Sequence, residues 1–196
     1  DGTIVHEKNA TSYENGFCTV CGGYEAATQN ADGAYAIDNA GKLYWFADKV
    51  SNDNEAFSEA NAVLTANIVI NENVLIDGAL NPDANAVAKF RPWETTIGYS
   101  VYGSSPGDIV KYPYTGTFDG NGHSISGLYF DDSETGQRIA LFGRIGEDGK
   151  VSDLTLKDTY FSGRDSVAGL AAFHYGTVEG CTVEGIIRVG QSMAGG

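Results

Sequence analysis

The chain has 196 residues and a mass of 20.7 kDa, and its 12 Lys and Arg against 26 Asp and Glu give a formal net charge of −14, which argues against nucleic-acid phosphate or an anionic membrane as partner. Twenty-six glycines, 11% aromatics and only 19% charged residues describe a turn-rich β protein rather than a helical bundle or a disordered tail. No apolar run approaches ~18 residues, so no membrane-spanning helix and no membrane insertion are expected.

Residues 1–35 form a Cys-containing segment. Cys18 and Cys21 make a C-x-x-C pair with His6 upstream, in HEKNATSYENGFCTVCGG. Thiolates and an imidazole at this spacing look like half of a zinc ribbon, although a closed structural site takes four ligands. A Cys18–Cys21 disulfide and a reduced turn are the other readings. Structural zinc is the single cofactor these residues point to. The chain opens at Asp1 without a basic or apolar leader pattern and closes on Met193-Ala194-Gly195-Gly196. That ending resembles the start of a repeat, so the chain is expected to be a monomeric fragment that continues past both ends.

From residue 36 onward the pattern predicts stacked strands under a helical cap. Asn39 is a natural N-cap for a helix over 39–50, with Leu43, Phe46, Ala47 and Val50 on one face and Tyr44 and Trp45 widening it. Such a helix suits the task of covering an open first coil. Leu64–Ile70 alternates with period two and reads as the first coil strand, continued by Val74, Leu75 and Ile76 after a corner near 71–73.

Residues 77–113 break this rhythm as a loop excursion holding all four prolines and a set of aromatics. Trp93, Tyr99, Tyr102 and Tyr112 are the candidate ligand-binding residues there, as rings on which sugars stack; the competing reading makes the aromatics a local core covering the flank. Asp119-Gly120-Asn121-Gly122 predicts a tight corner between strands rather than a calcium loop, because the EF-hand spacing is missing.

Three segments then align: Ile125–Phe130, Val151–Leu156 and Val178–Val183, at spacings of 26 and 27 residues. A second element recurs at 28 and 26: Ile139–Gly143, Val167–Ala171 and Met193–Gly196. A period near 26–28 residues at ~3.3 Å each gives a circuit of roughly 85 Å, fitting a triangular coil of three short strands stacked in parallel ladders. Cys181 falls in the inward slot of Leu128 and Leu154 and is expected to be a core thiol. Arg144 aligns with Ala172, and His174 with Gly146 at a corner, so neither a basic ladder nor a histidine-centred site forms. Asp131-Asp132-Ser133-Glu134 is the one dense acidic cluster near the coils and reads as a solvated loop. No catalytic constellation emerges.

VAGLAAFHYGTVEGCTVEGIIRVGQSMAGG resembles the GLUG-motif repeats of bacterial surface and secreted proteins. YTGTFDGNGHSISGLYF, IALFGRI and AIDNAGKLYWFADKV resemble segments that commonly precede those repeats, and the amino-terminal segment resembles a short Cys-containing module of secreted multi-domain bacterial proteins. The resemblance implies a right-handed parallel β-helix on an extracellular protein and transfers no catalytic residues. The expectation is therefore an all-β parallel β-helix over residues 36–196 with a capping helix. Its function would be that of a non-catalytic structural or adhesive module of a secreted or cell-surface protein, meeting glycans or other surface proteins. The alternative is a polysaccharide-active lyase or hydrolase, which would require paired carboxylates or a base beside bound calcium.

Overall fold

The computed structural model describes residues 12–53, 55–98 and 112–190, and among these residues strands greatly outnumber helices. The chain opens with an antiparallel hairpin, β1 (Tyr13–Glu14) and β2 (Phe17–Cys18), followed by β3 (Thr28–Gln29) antiparallel to β4 (Tyr35–Ile37). Residues 12–35 are continuous with the core: Phe17 and Ala27 share one buried cluster with Leu43, and the Gly41 N–H donates to Asn15 O at 2.9 Å.

The expected helix forms as α1 (Ala40–Asp48). Asn39 is extended at φ −148° and its side chain accepts from the Lys42 N–H at 2.9 Å, satisfying an otherwise orphaned donor of the first turn. Leu43, Phe46, Ala47 and Val50 are all fully buried. A π-helical turn (Lys49–Asp53) and α2 (Glu55–Ser58) extend the segment. The buried face meets the strands through rings, with Phe46 6.2 Å from Phe118 and Tyr44 4.8 Å from Trp93, centroid to centroid.

Leu64–Ile70 is two short strands rather than one: β5 (Ala62–Leu64) and β6 (Ile68–Val69) belong to different sheets. Leu64 and Ile68 both point inward, so the chain turns a corner at 65–67 to keep both buried. Val74–Ile76 does not continue these strands either. β7 (Leu75–Ile76) folds back on β8 (Ala79–Leu80) as an antiparallel hairpin through Asp77 and Gly78, both at positive φ. Asp-Gly between two strands is a strong two-residue hairpin signal. A single turn, α3 (Ala84–Val87), follows, with Asp83 as its N-cap.

Among the described residues the later elements are all strands: β9 (Thr117–Asp119), β10 (Ser124–Ser126), β11 (Tyr129–Gln137), β12 (Phe142–Ile145), β13 (Lys150–Ser152), β14 (Thr155–Asp165), β15 (Ala171–His174), β16 (Thr177–Glu179) and β17 (Thr182–Val189). One sheet runs β3-β4-β5-β9-β13-β16 and is parallel beyond β3. Ala62, Phe118, Val151 and Val178 are paired along it in a column. A second sheet carries β6, β10, β14 and β17 in parallel, stacking Ile68, Ile125, Leu156 and Val183, with β11 also on β14. In the third, β12 pairs with β15, and parallel bridges link Ile97 to Phe142 and Tyr114 to Ile145. Each large apolar side chain fully removed from water in these columns contributes about 1.5–3 kcal/mol.

The corner at 119–122 is a turn, with Asn121 at φ 50° and its N–H bonded to Asp119 Oδ1 at 2.7 Å. The repeat register differs from the expected one at its first step. Ile125 lies opposite Leu156, and Val151 opposite Phe118, so Ile125–Phe130 and Val151–Leu156 are not stacked. What those segments share is a corner: Gly127, Asp153 and Gly180 all take positive φ at the third position, and after the first two the next side chain, Leu128 or Leu154, is fully buried. The 27-residue step from Val151 to Val178 is as expected. In the second element Phe142 pairs with Ala171 rather than Leu170, Arg144 with Phe173 rather than Ala172, and His174, the last residue of β15, with Ile145 rather than Gly146. His174 remains exposed. Cys181 is half-buried rather than a core thiol, packed on the edge of the core with its Sγ 3.3 Å from Glu179 O. The last repeat segment, Met193–Gly196, lies outside the described residues.

Candidate functional site

The C-x-x-C pair sits at the tip of a tight turn. Phe17 bridges to Tyr24 across it, the Cys18 N–H donates to Gly23 O and the Gly22 N–H to Cys18 O, both at 2.8 Å. This returns the chain on itself and points backbone N–H groups at the sulfurs. Hydrogen bonding from the backbone of this turn, that of Cys21 foremost, holds the Cys18 pKa below the ordinary cysteine value against the opposing effect of burial. The Gly23 N–H donates to Cys21 Sγ at 3.3 Å. Cys18 is buried, Cys21 is exposed, and no disulfide joins them. His6 lies outside the described residues, and among those residues no group of three or more His, Cys, Asp or Glu gathers to hold a metal ion.

The aromatic candidates separate. Trp93 is fully buried, its indole N–H donating to Ala140 O at 3.0 Å and its ring edge-on to Tyr44. It is a core residue, which corrects its expected place on a sugar-stacking surface: an indole closed off from solvent offers no face to a ligand. Tyr112 is half-buried at φ 57°, and Tyr99 and Tyr102 lie outside the described residues. Phe90 packs on Tyr129, which stacks on Tyr160 at 5.9 Å, and the Arg188 guanidinium lies 5.5 Å over Tyr160. These rings cover the flank of the strands.

Asp131–Glu134 is part of β11 rather than a loop, at a register shift against β14 between Asp132 and Gln137. Asp132 accepts from the Thr135 hydroxyl and from the N–H groups of Thr135 and Glu134, and the Thr135 hydroxyl bond is the leading cause of its lowered pKa. The carboxylate is thus engaged in shaping the bulge. His123 Nδ1 lies 3.4 Å from Asn67 Oδ1 in the exposed corner.

Two concave surfaces stand out. One, of about 380 Å³, is bounded by Ser51 and Asn52 of the π-helical turn, by Glu94, Thr95 and Thr96, and by Thr135, Gln137, Arg138, Ile139 and Gly143. Ser51 Oγ donates to Thr96 O at 2.6 Å in its wall. The other, of about 350 Å³, runs beside the cysteine turn between Glu14, Cys18, Thr19, Asn71, Lys89 and Arg91, with the Arg91 guanidinium 3.7 Å over the Phe17 ring. Sequence reasoning missed Glu94, Gln137 and Arg138. They come from separate segments without a motif, and only the fold of β11 against the 94–96 strip brings them together.

No family model matches the chain, and no solved structure matches it. It is 31% identical over 106 residues to halomucin of Haloquadratum walsbyi, covering 54% of this chain and 1% of that protein. It is 35% identical over 74 residues to a putative Gly-rich membrane protein of Evansella cellulosilytica, covering 36% of this chain and 8% of that protein. The chain spans only a small fraction of either relative. Among the described residues no helix is long and apolar enough to cross a membrane.

Proposed function

We propose that this chain is a right-handed parallel β-helix segment of a bacterial secreted or cell-surface protein, and that it is a non-catalytic module that stiffens its parent and binds glycans. The observation that carries the reading is the set of three parallel ladders in which β9–β10–β12, β13–β14–β15 and β16–β17 recur in the same order along the chain. Strand crossovers in parallel sheets are right-handed in nearly all proteins. The GLUG resemblance points the same way, and a relative described as a membrane protein favours the cell envelope.

The polar cleft is the glycan site in this reading. Carboxylate, carboxamide, guanidinium and hydroxyl groups from Glu94, Gln137, Arg138 and Thr95 offer the mixed donors and acceptors that vicinal sugar hydroxyls require. The test is a glycan array probed with the intact chain and with Gln137→Ala, an exposed side chain whose loss leaves the strand pairing in place. Binding that is lost in the variant is the expected result. An array on which neither protein binds removes the adhesive role and leaves a spacer.

A further inference from the structure

We infer that the groove between Glu14, Lys89 and Arg91 is a second ligand site, for a singly charged carboxylate that also carries hydroxyls, the chemistry of a uronic acid. This groove, of about 350 Å³, shares no lining residue with the polar cleft. Lys89 and Arg91 both line it, while Phe90 between them packs on Tyr129 instead, so alternate side chains go to opposite sides. Elsewhere this acidic chain pairs cations with carboxylates: Lys42 with Asp38 and Glu25, Lys150 with Glu179, Arg164 with Asp165. Among the described residues no ion pair or side-chain hydrogen bond engages Lys89 or Arg91. Two cations set side by side without a carboxylate partner attract an anion.

The Arg91 end is held in place before any ligand arrives. Its N–H donates to Asn71 Oδ1 at 2.7 Å and its carbonyl accepts from Asn71 Nδ2 at 3.0 Å, while its guanidinium rests 3.7 Å over the Phe17 ring. A fork fixed in this way loses little freedom on meeting a carboxylate, which a guanidinium can grip with two parallel hydrogen bonds. The remaining polar groups decide what else the ligand carries. Asn15 and Asn71 are spent on the fold: Asn15 accepts from the Ala40 N–H and donates to Val69 O. The Glu14 carboxylate has no such partner among the described residues, and as a pure acceptor it suits hydroxyl donors. It also sets the charge. Two cations and one carboxylate leave a lining of +1, which matches a single carboxylate and disfavours a doubly charged phosphate.

The test titrates the full ¹⁵N-labelled chain with D-glucuronate and follows its amide signals by NMR, beside D-glucose, acetate and inorganic phosphate at pH 8. D-Glucuronate is expected to shift the Thr19, Lys89 and Arg91 amides saturably, and less tightly as salt is added. Lys89→Ala, an exposed side chain whose loss leaves the fold in place by circular dichroism, should bind at least about tenfold more weakly, the ordinary worth of one charged hydrogen bond. Arg91→Lys keeps the charge without the fork and should also bind more weakly. Glucose should give no saturable shift at these amides, and acetate and phosphate weaker ones than glucuronate. The site is overturned by a wild-type chain that shows no saturable response to glucuronate, or by an affinity unchanged in Lys89→Ala. Acetate, glucose or phosphate binding as tightly as glucuronate overturns the assignment of a hydroxylated carboxylate. Gln137→Ala leaves the glucuronate response in place, so failure of the cleft and failure of this groove are read separately.

Discussion

Residues 112–190 and residues 12–98 bury their apolar side chains by different means. In the later part β13 is paired on both sides, by β9 and β16, and β14 by β10 and β11 on one side and β17 on the other. Backbone groups there are satisfied by regular ladders, and β14 is mostly buried along eleven residues. In the earlier part the strands are two or three residues long, and polar side chains take over where ladders stop. Asn71 accepts from the Arg91 N–H at 2.7 Å and donates to the Arg91 and Gly127 carbonyls at 3.0 and 2.8 Å. Asp158 reaches across from β14 to accept from the Val74 and Leu75 N–H groups at 3.0 and 2.8 Å. Asn61 and Asn67 do the same for Thr117 and Ser124. Both regions obey the rule that buried backbone groups find partners, but one uses the repeat itself and the other uses individually placed side chains.

The contrast breaks most sharply with a charge in each region. Leu154 is fully buried in the later part, one corner before β14. Leu154→Asp places an unpaired carboxylate among apolar side chains, at a cost of several kcal/mol, comparable with the whole stability of about 5–15 kcal/mol that a domain has. The expected outcome is a chain with no cooperative thermal transition. Ile76→Asp, in the β7–β8 hairpin where Ile76 is 40% exposed, should melt within a degree or two of wild type. If Leu154→Asp melts normally, the inward column is wrongly placed.

A second substitution sharpens the claim about polar side chains. Asn71→Ala removes three hydrogen bonds and leaves the Arg91 N–H and two carbonyls to find others in a site where Asn71 is only 8% exposed. At about 1 kcal/mol per bond, more where a buried group stays unsatisfied, the loss is roughly 2–4 kcal/mol. A fall in Tm of about 5–15 °C follows for a chain of this size. A Tm unchanged by Asn71→Ala would mean that the excursion is held by its aromatic packing instead.

The two regions were also unequally legible. Helix α1 could be read because its information is local: Asn39 as acceptor, then Leu43, Phe46, Ala47 and Val50 at helical spacing. The Asp119–Gly122 corner was legible for the same reason. The repeat was seen, but its first step was misaligned because I-S-G-L-Y-F and V-S-D-L-T-L describe the same local event, a strand, a positive-φ residue and an inward leucine, at different corners. Sequence similarity between short segments identifies a corner type and does not count the residues between corners. Trp93 was ambiguous since an indole in a proline-bounded loop has the same sequence signature whether it faces a ligand or the Ala140 carbonyl. The cleft of Glu94, Gln137 and Arg138 was illegible for a plainer reason: a register shift in β11 places Gln137, the strand's last residue, and Arg138 just beyond it, and register is a property of the paired strand.

A smaller loss than that of Asn71→Ala is expected at the join between the two modes, where α1 begins. Asn39 accepts from the Lys42 N–H and donates to Glu25 Oε2 at 2.8 Å, so one residue both caps the helix and ties the amino-terminal segment to it. Asn39→Ala removes both bonds and should cost about 1 kcal/mol, up to about 2, read as a Tm lower by about 2–8 °C. Asn39→Ser keeps a capping acceptor without the reach to Glu25, so it separates the two roles. Recovery of most of the loss in the serine variant assigns the stability to the cap. Recovery of none assigns it to the Glu25 tie, and α1 would then be held against the strands by its neighbours rather than by its own first turn.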